Sequence, residues 1–129
     1  MSKDEVFLII KNSSTTNFGM YYIDLIDLSV SLEKKGPIIY QDGMLMDEKK
    51  MFALTLVEKK NIFFQTVYKL KLKPPEEENE NQKWILKDGV ISDMLYRVKV
   101  FVRNDLKIVL IPYRVVEKIS CNWIFEKIK

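Results

Sequence analysis

Histidine is absent from this 129-residue chain, and cysteine occurs once, at Cys121. The usual general base near neutral pH and the commonest metal ligand are therefore missing, which excludes Ser-His and Cys-His catalysis and any histidine-bearing zinc site. A lone cysteine makes neither an internal disulfide nor a thiolate zinc site. Set in the apolar alternation Ile119, Cys121, Trp123, it reads as a small buried residue rather than a nucleophile. Glycine is scarce as well, and Gly19, Gly36, Gly43 and Gly89 stand far apart, so there is no glycine-rich phosphate loop. The apolar run Val6 to Ile10 is too short to span a membrane and lacks the basic start and cleavage site of a signal peptide. Together these absences predict an intracellular protein, cytoplasmic or nuclear and not secreted, with no membrane contact, cofactor or bound metal.

What is present has the balance of an ordinary globular chain, with 47% apolar and 30% charged residues. The length suits a single domain over residues 1–129 and provides enough apolar surface to build a core without disulfides or a structural metal. The 21 basic residues exceed the 18 acidic ones by three, a small excess for a protein that coats a polyanion. Any anion-binding surface has to come from segregation of charge along the chain.

Segregation is what the strand patterns show. From Leu95 to Pro112, Tyr96, Val98, Val100 and Val102 alternate with Arg97, Lys99, Phe101 and Arg103 ahead of an Asn104-Asp105 turn, which predicts a hairpin with one apolar and one basic face. Thr66 to Lys73 repeats the pattern, with Tyr68, Leu70 and Leu72 against Val67, Lys69, Lys71 and Lys73.

The remaining segments also read as strands. Val6 to Lys11 suits a strand buried on both faces. Met20 to Leu32 reads as one long strand that passes from a doubly covered to a half-exposed environment and bends on the way. Asp42-Gly43 and Asp88-Gly89 between apolar runs each predict a two-residue hairpin, because both turn positions need positive φ. Lys59-Lys60-Asn61 is a polar connection between Met51–Glu58 and Ile62–Lys73. The acidic stretch 74–82 has no apolar residue beyond its prolines and is expected to be an exposed loop. Residues 114–128 fit a strand better than a helix, since β-branched and aromatic residues dominate, though a C-terminal helix stays open. The fold expected is all-β, a single antiparallel small barrel or sandwich, whose nearest general analogue by architecture alone is the OB fold.

The leading expectation for function is a non-catalytic nucleic-acid-binding protein, working as a subunit of a larger complex. Residues two apart on a strand stand about 6.5 to 7 Å apart on one side, so Lys69, Lys71 and Lys73 form a row that matches the phosphates of a single strand. Arg97, Lys99 and Arg103 form a second row with Phe101 interleaved for base stacking. The bland alternative is a solvated face whose edge lysines prevent aggregation, neutralised by the acidic loop that follows. A rival from another class is an adaptor or assembly subunit that contacts protein, including a second copy of itself, through its many aromatics. The one enzymatic alternative is a metal-dependent nuclease built on Glu58 and Lys60 with Asp42 or Asp47, a pattern that a lysine- and glutamate-rich chain also produces by chance.

Overall fold

The computed structural model describes residues 5–12, 21–103, 105–114 and 123–128. Among them there are twelve antiparallel strands, a single 3₁₀ turn and no α-helix. The strands are β1 Val6–Asn12, β2 Tyr21–Asp24, β3 Ser29–Ser31, β4 Ile38–Gln41, β5 Met44–Met46, β6 Ala53–Lys60, β7 Thr66–Lys73, β8 Trp84–Lys87, β9 Val90–Asp93, β10 Val98–Val102, β11 Ile108–Pro112 and β12 Trp123–Lys127. The expectation of an all-β small barrel or sandwich is met. One strongly curled sheet, in the order β3-β2-β1-β4-β5-β6-β7 with β12 on β1, forms a half-barrel, and a four-stranded sheet β11-β10-β9-β8 is the second.

Strand β1 is the hub. Its residues Val6 to Leu8 pair with β4, Lys11 and Asn12 with β2, and Leu8 to Asn12 with β12. β4 and β2 take opposite ends of the strand while β12 overlaps both, and Leu8, Ile9 and Ile10 are all buried, as the unbroken apolar run requires.

The two sheets share one core, to which the larger contributes Leu8, Ile10, Ile23, Leu54 and Leu56 and the smaller Trp84, Ile91, Val98 and Val100. The two tryptophans tie them reciprocally. Trp84 of the small sheet donates its indole N–H to the Leu54 carbonyl at 2.8 Å, and Trp123 of the large sheet donates to the Val100 carbonyl at 3.1 Å. Each ring fills the core while its one polar atom is satisfied by the opposite sheet. The Tyr40 hydroxyl adds a third tie, donating to the Trp84 carbonyl at 2.6 Å.

Both Asp-Gly hairpins form as expected. Asp42 and Gly43 lie at φ 53° and 78°, Asp88 and Gly89 at 52° and 77°, the left-handed pair that matches the twist of the flanking strands. At Gly43 a Cβ would also lie 3.1 Å from Lys83 Cδ, a tight contact that the lysine side chain would have to relieve by shifting.

Three sequence expectations need correction. Residues 21–31 are not one bent strand but a hairpin of β2 and β3, because the Asp24 carboxylate accepts the Asp27 N–H and Leu28 turns at φ 51°. The β6–β7 connection is not Lys59-Lys60-Asn61: both lysines belong to β6, and the turn runs over residues 61–65. The acidic loop is exposed at its glutamates but anchored by Gln82, which is fully buried. The preference for a strand over a helix near the C-terminus is met from Trp123 to Lys127; Val116, Ile119 and Cys121 lie outside the described residues.

Candidate nucleic-acid interface

Among the described residues, strand β7 sits at the edge of the larger sheet and pairs only with β6. Its Tyr68, Leu70 and Leu72 pack against the core, which forces Lys69, Lys71 and Lys73 to the outer side, where all three are exposed. The register with β6 places Val57 beside Lys69, Thr55 beside Lys71 and Ala53 beside Lys73. It also brings Lys59, opposite Val67, onto the same outer face nearer the turn. No acidic side chain pairs with any of these four lysines among the described residues.

The acidic loop borders the base of this row. Gln82 donates to Thr55 Oγ1 at 3.1 Å and to the Pro74 carbonyl at 2.9 Å, and accepts the Glu76 N–H at 2.7 Å. Thr55 is thereby covered on the face that carries Lys71. Yet Glu76, Glu77, Glu78 and Glu80 remain exposed, and none forms an ion pair with Lys69, Lys71 or Lys73 among the described residues. Among the described residues, proximity in sequence does not bring these glutamates into contact ion pairs with the row.

The second predicted row is not assembled as free cations. Arg97 lies before β10, in the loop that leaves β9, where the buried Asp93 carboxylate gathers it in. That carboxylate accepts the backbone N–H groups of Arg97 at 2.7 Å and Val98 at 3.0 Å, and the Arg97 Nε at 2.8 Å. A further bond from Arg97 Nη2 reaches Asn81 Oδ1, and the guanidinium stacks 5.6 Å from the centroid of the Tyr68 ring. Burial alone pushes the Asp93 carboxyl up, but the Val98 and Arg97 donors outweigh it and hold it below the ordinary carboxylate value.

Arg103 is exposed and committed to Asp105 through two bonds of 2.9 and 2.6 Å. This bond to Arg103 holds the Asp105 carboxyl at about 2. Lys99 and Phe101 are the residues of this row within β10, and both are half-buried on the outer face of the smaller sheet. Lys99 Nζ lies 5.9 Å from the centroid of the Tyr113 ring, and Phe101 stands across from Val109. Tyr96, assigned from the alternation to the apolar face, precedes the strand at φ 55° and is about half exposed.

Two carboxylates of the nuclease alternative are engaged with other groups. Asp42 binds Lys83 at 2.8 Å, Asp47 accepts the N–H groups of Met51 and Phe52, and Glu58 stands on β6 opposite Tyr68. Among the described residues no three acidic or thiol side chains converge on a possible metal position, and no helix is long and apolar enough to cross a membrane.

The structure adds residues that the strand patterns missed. At the β6–β7 turn, Ile62, Phe63 and Phe64 are 85%, 73% and 85% exposed. Asn61 orders this tip: its Oδ1 accepts the Phe63 N–H at 2.8 Å and the Gln65 N–H at 3.0 Å, and its carbonyl accepts the Phe64 N–H. An Asn ahead of the apolar triplet was the available signal, since Asn side chains cap turns. Read as the start of a strand over residues 62–73, the triplet gives no sign of lying in a turn. No family model, curated protein or solved structure matches the chain.

Proposed function

We propose that this chain binds single-stranded nucleic acid, without catalysis, along the outer face of the β6–β7 hairpin. One observation carries the reading: Lys69, Lys71 and Lys73 stand in line on one strand face, exposed and without acidic partners among the described residues. Their spacing of about 7 Å suits successive phosphates of an extended strand, and Lys59 widens the track toward the turn. This reading sets aside Arg97 and Arg103, whose charges already serve the fold, and leaves Lys99 and Phe101 outside the main track.

The test is fluorescence anisotropy of labelled single-stranded DNA and RNA across a salt series, with duplexes as comparison. Each phosphate contact to a single strand adds about 0.7 to the slope of log affinity against log salt. Replacing Lys69, Lys71 and Lys73 together by Gln is expected to lower that slope by about 2 and to weaken binding at low salt. An unchanged slope, or no binding by the natural sequence even at low salt, overturns the reading and directs attention to protein partners.

A further inference from the structure

The turn that ends the lysine track has an apolar tip for which the fold itself has no use. Ile62, Phe63 and Phe64 touch no core cluster and are almost fully exposed. The tip is nevertheless well ordered, by the Asn61 bonds and by the Asn61 N–H donating to the Gln65 carbonyl at 3.0 Å. Phe64 moreover adopts φ 59°, a left-handed conformation that costs a bulky residue and suits glycine or asparagine. A strained, exposed aromatic on a well-formed turn is the kind of departure from local preference that marks a binding element.

Resting on the nucleic-acid reading, we infer that Phe63 and Phe64 are base-stacking residues at the far end of the track, taking unstacked bases of a strand whose phosphates follow Lys69, Lys71 and Lys73. Each base has a π-face, so aromatic platforms of this kind accept any sequence. From Lys73 to Phe64 the hairpin runs about 30 Å along the strand, the reach of roughly five extended nucleotides at about 6 to 7 Å each. The position of the cations selects this ligand over a bilayer. A membrane met end-on by the tip would engage Lys59 and Lys60 and leave Lys71 and Lys73 far behind, whereas a linear polyanion uses the whole line.

The experiment measures affinity for oligodeoxythymidylates of three and eight residues and for an abasic eight-residue strand, using the full chain, the Phe63→Ala and Phe64→Gly variants and the triple Lys→Gln variant. Phosphatidylserine vesicles serve as the competing ligand. The Phe64→Gly change relieves the positive φ, so its urea midpoint is expected at or above that of the natural sequence, which separates binding from folding. Each tip variant is expected to lose about tenfold or more in affinity for the eight-residue strand, with less than a twofold change for the abasic strand and for the three-residue one. Undiminished binding of the eight-residue strand by both tip variants, with loss confined to the triple Lys→Gln variant, overturns the stacking role and leaves the lysine reading intact. Failure of the natural sequence to bind any oligonucleotide overturns both. Tip-dependent binding to vesicles in place of oligonucleotides assigns Ile62, Phe63 and Phe64 to a lipid surface and overturns the stacking role.

Discussion

Strands β7 and β10 carry the same alternation of apolar and cationic residues, but the fold uses their charges differently. On β7, at a sheet edge, Lys69, Lys71 and Lys73 project from the hairpin with no acidic partner among the described residues. β10 lies between two neighbours, and the arginines at its ends are held, Arg97 by a buried carboxylate and Arg103 by an exposed one. Arginine suits such positions because its planar fork meets a carboxylate through two bonds, while lysine is a flexible, strongly hydrated point charge. Within these two rows the free cations on β7 are all lysine and the two acid-bound ones are arginine, although Lys11, Lys35, Lys50 and Lys83 pair with carboxylates elsewhere in the fold.

The contrast is broken most severely at Asp93. Asp93→Ala leaves the N–H groups of Arg97 and Val98 without their acceptor in a buried position, together with a half-buried guanidinium, and is expected to cost about 3 kcal/mol in urea unfolding. A loss under about 1 kcal/mol would mean that the loop between β9 and β10 is held by other contacts. Arg97→Lys is expected to cost about 1 to 2 kcal/mol, since an ammonium cannot bind Asp93 and Asn81 in the same fork.

Acid sharpens the same point. Because the folded state holds Asp93 below its ordinary value of 3.8, the carboxylate stabilises the fold at pH above that value. This contribution is lost as pH falls below 3.8 through the folded-state pKa. Urea midpoints between pH 6 and pH 2.5 are expected to fall, and to fall less steeply in Asp93→Asn. Parallel pH curves for the two proteins would remove Asp93 from the account of acid sensitivity.

The smallest effects on stability belong to the exposed cations. Arg103→Ala and the triple change of Lys69, Lys71 and Lys73 to Gln are each expected to leave the urea midpoint nearly unchanged. They part company in binding, where only the lysine changes are expected to weaken single-strand affinity. Equal losses from Arg103→Ala would merge the two rows into one surface and end the comparison.

Much of this was legible in the chain. Alternation in 66–73 and 98–102 gave strands with the correct buried faces, and both Asp-Gly pairs gave their turns, because these features depend on local sterics and a period of two. The long reading of 21–31 failed because an Asx-type bond from Asp24 and a left-handed Leu28 reverse the chain where its apolar pattern runs on. The site was half legible. Lys69, Lys71 and Lys73 follow from the period alone, whereas Phe63 and Phe64 look like core until the turn is seen to end at Gln65.

The sequence by itself determined the all-β class, the absence of histidine-based chemistry and the outward side of β7, all consequences of composition and short-range pattern. Only the tertiary structure decided which cations are free. Ion pairing depends on where a carboxylate is brought by the fold: the Asp93 side chain reaches Arg97 because the β9–β10 loop wraps around it, while Gln82 pins the acidic loop beside the lysine row without pairing its glutamates to those lysines.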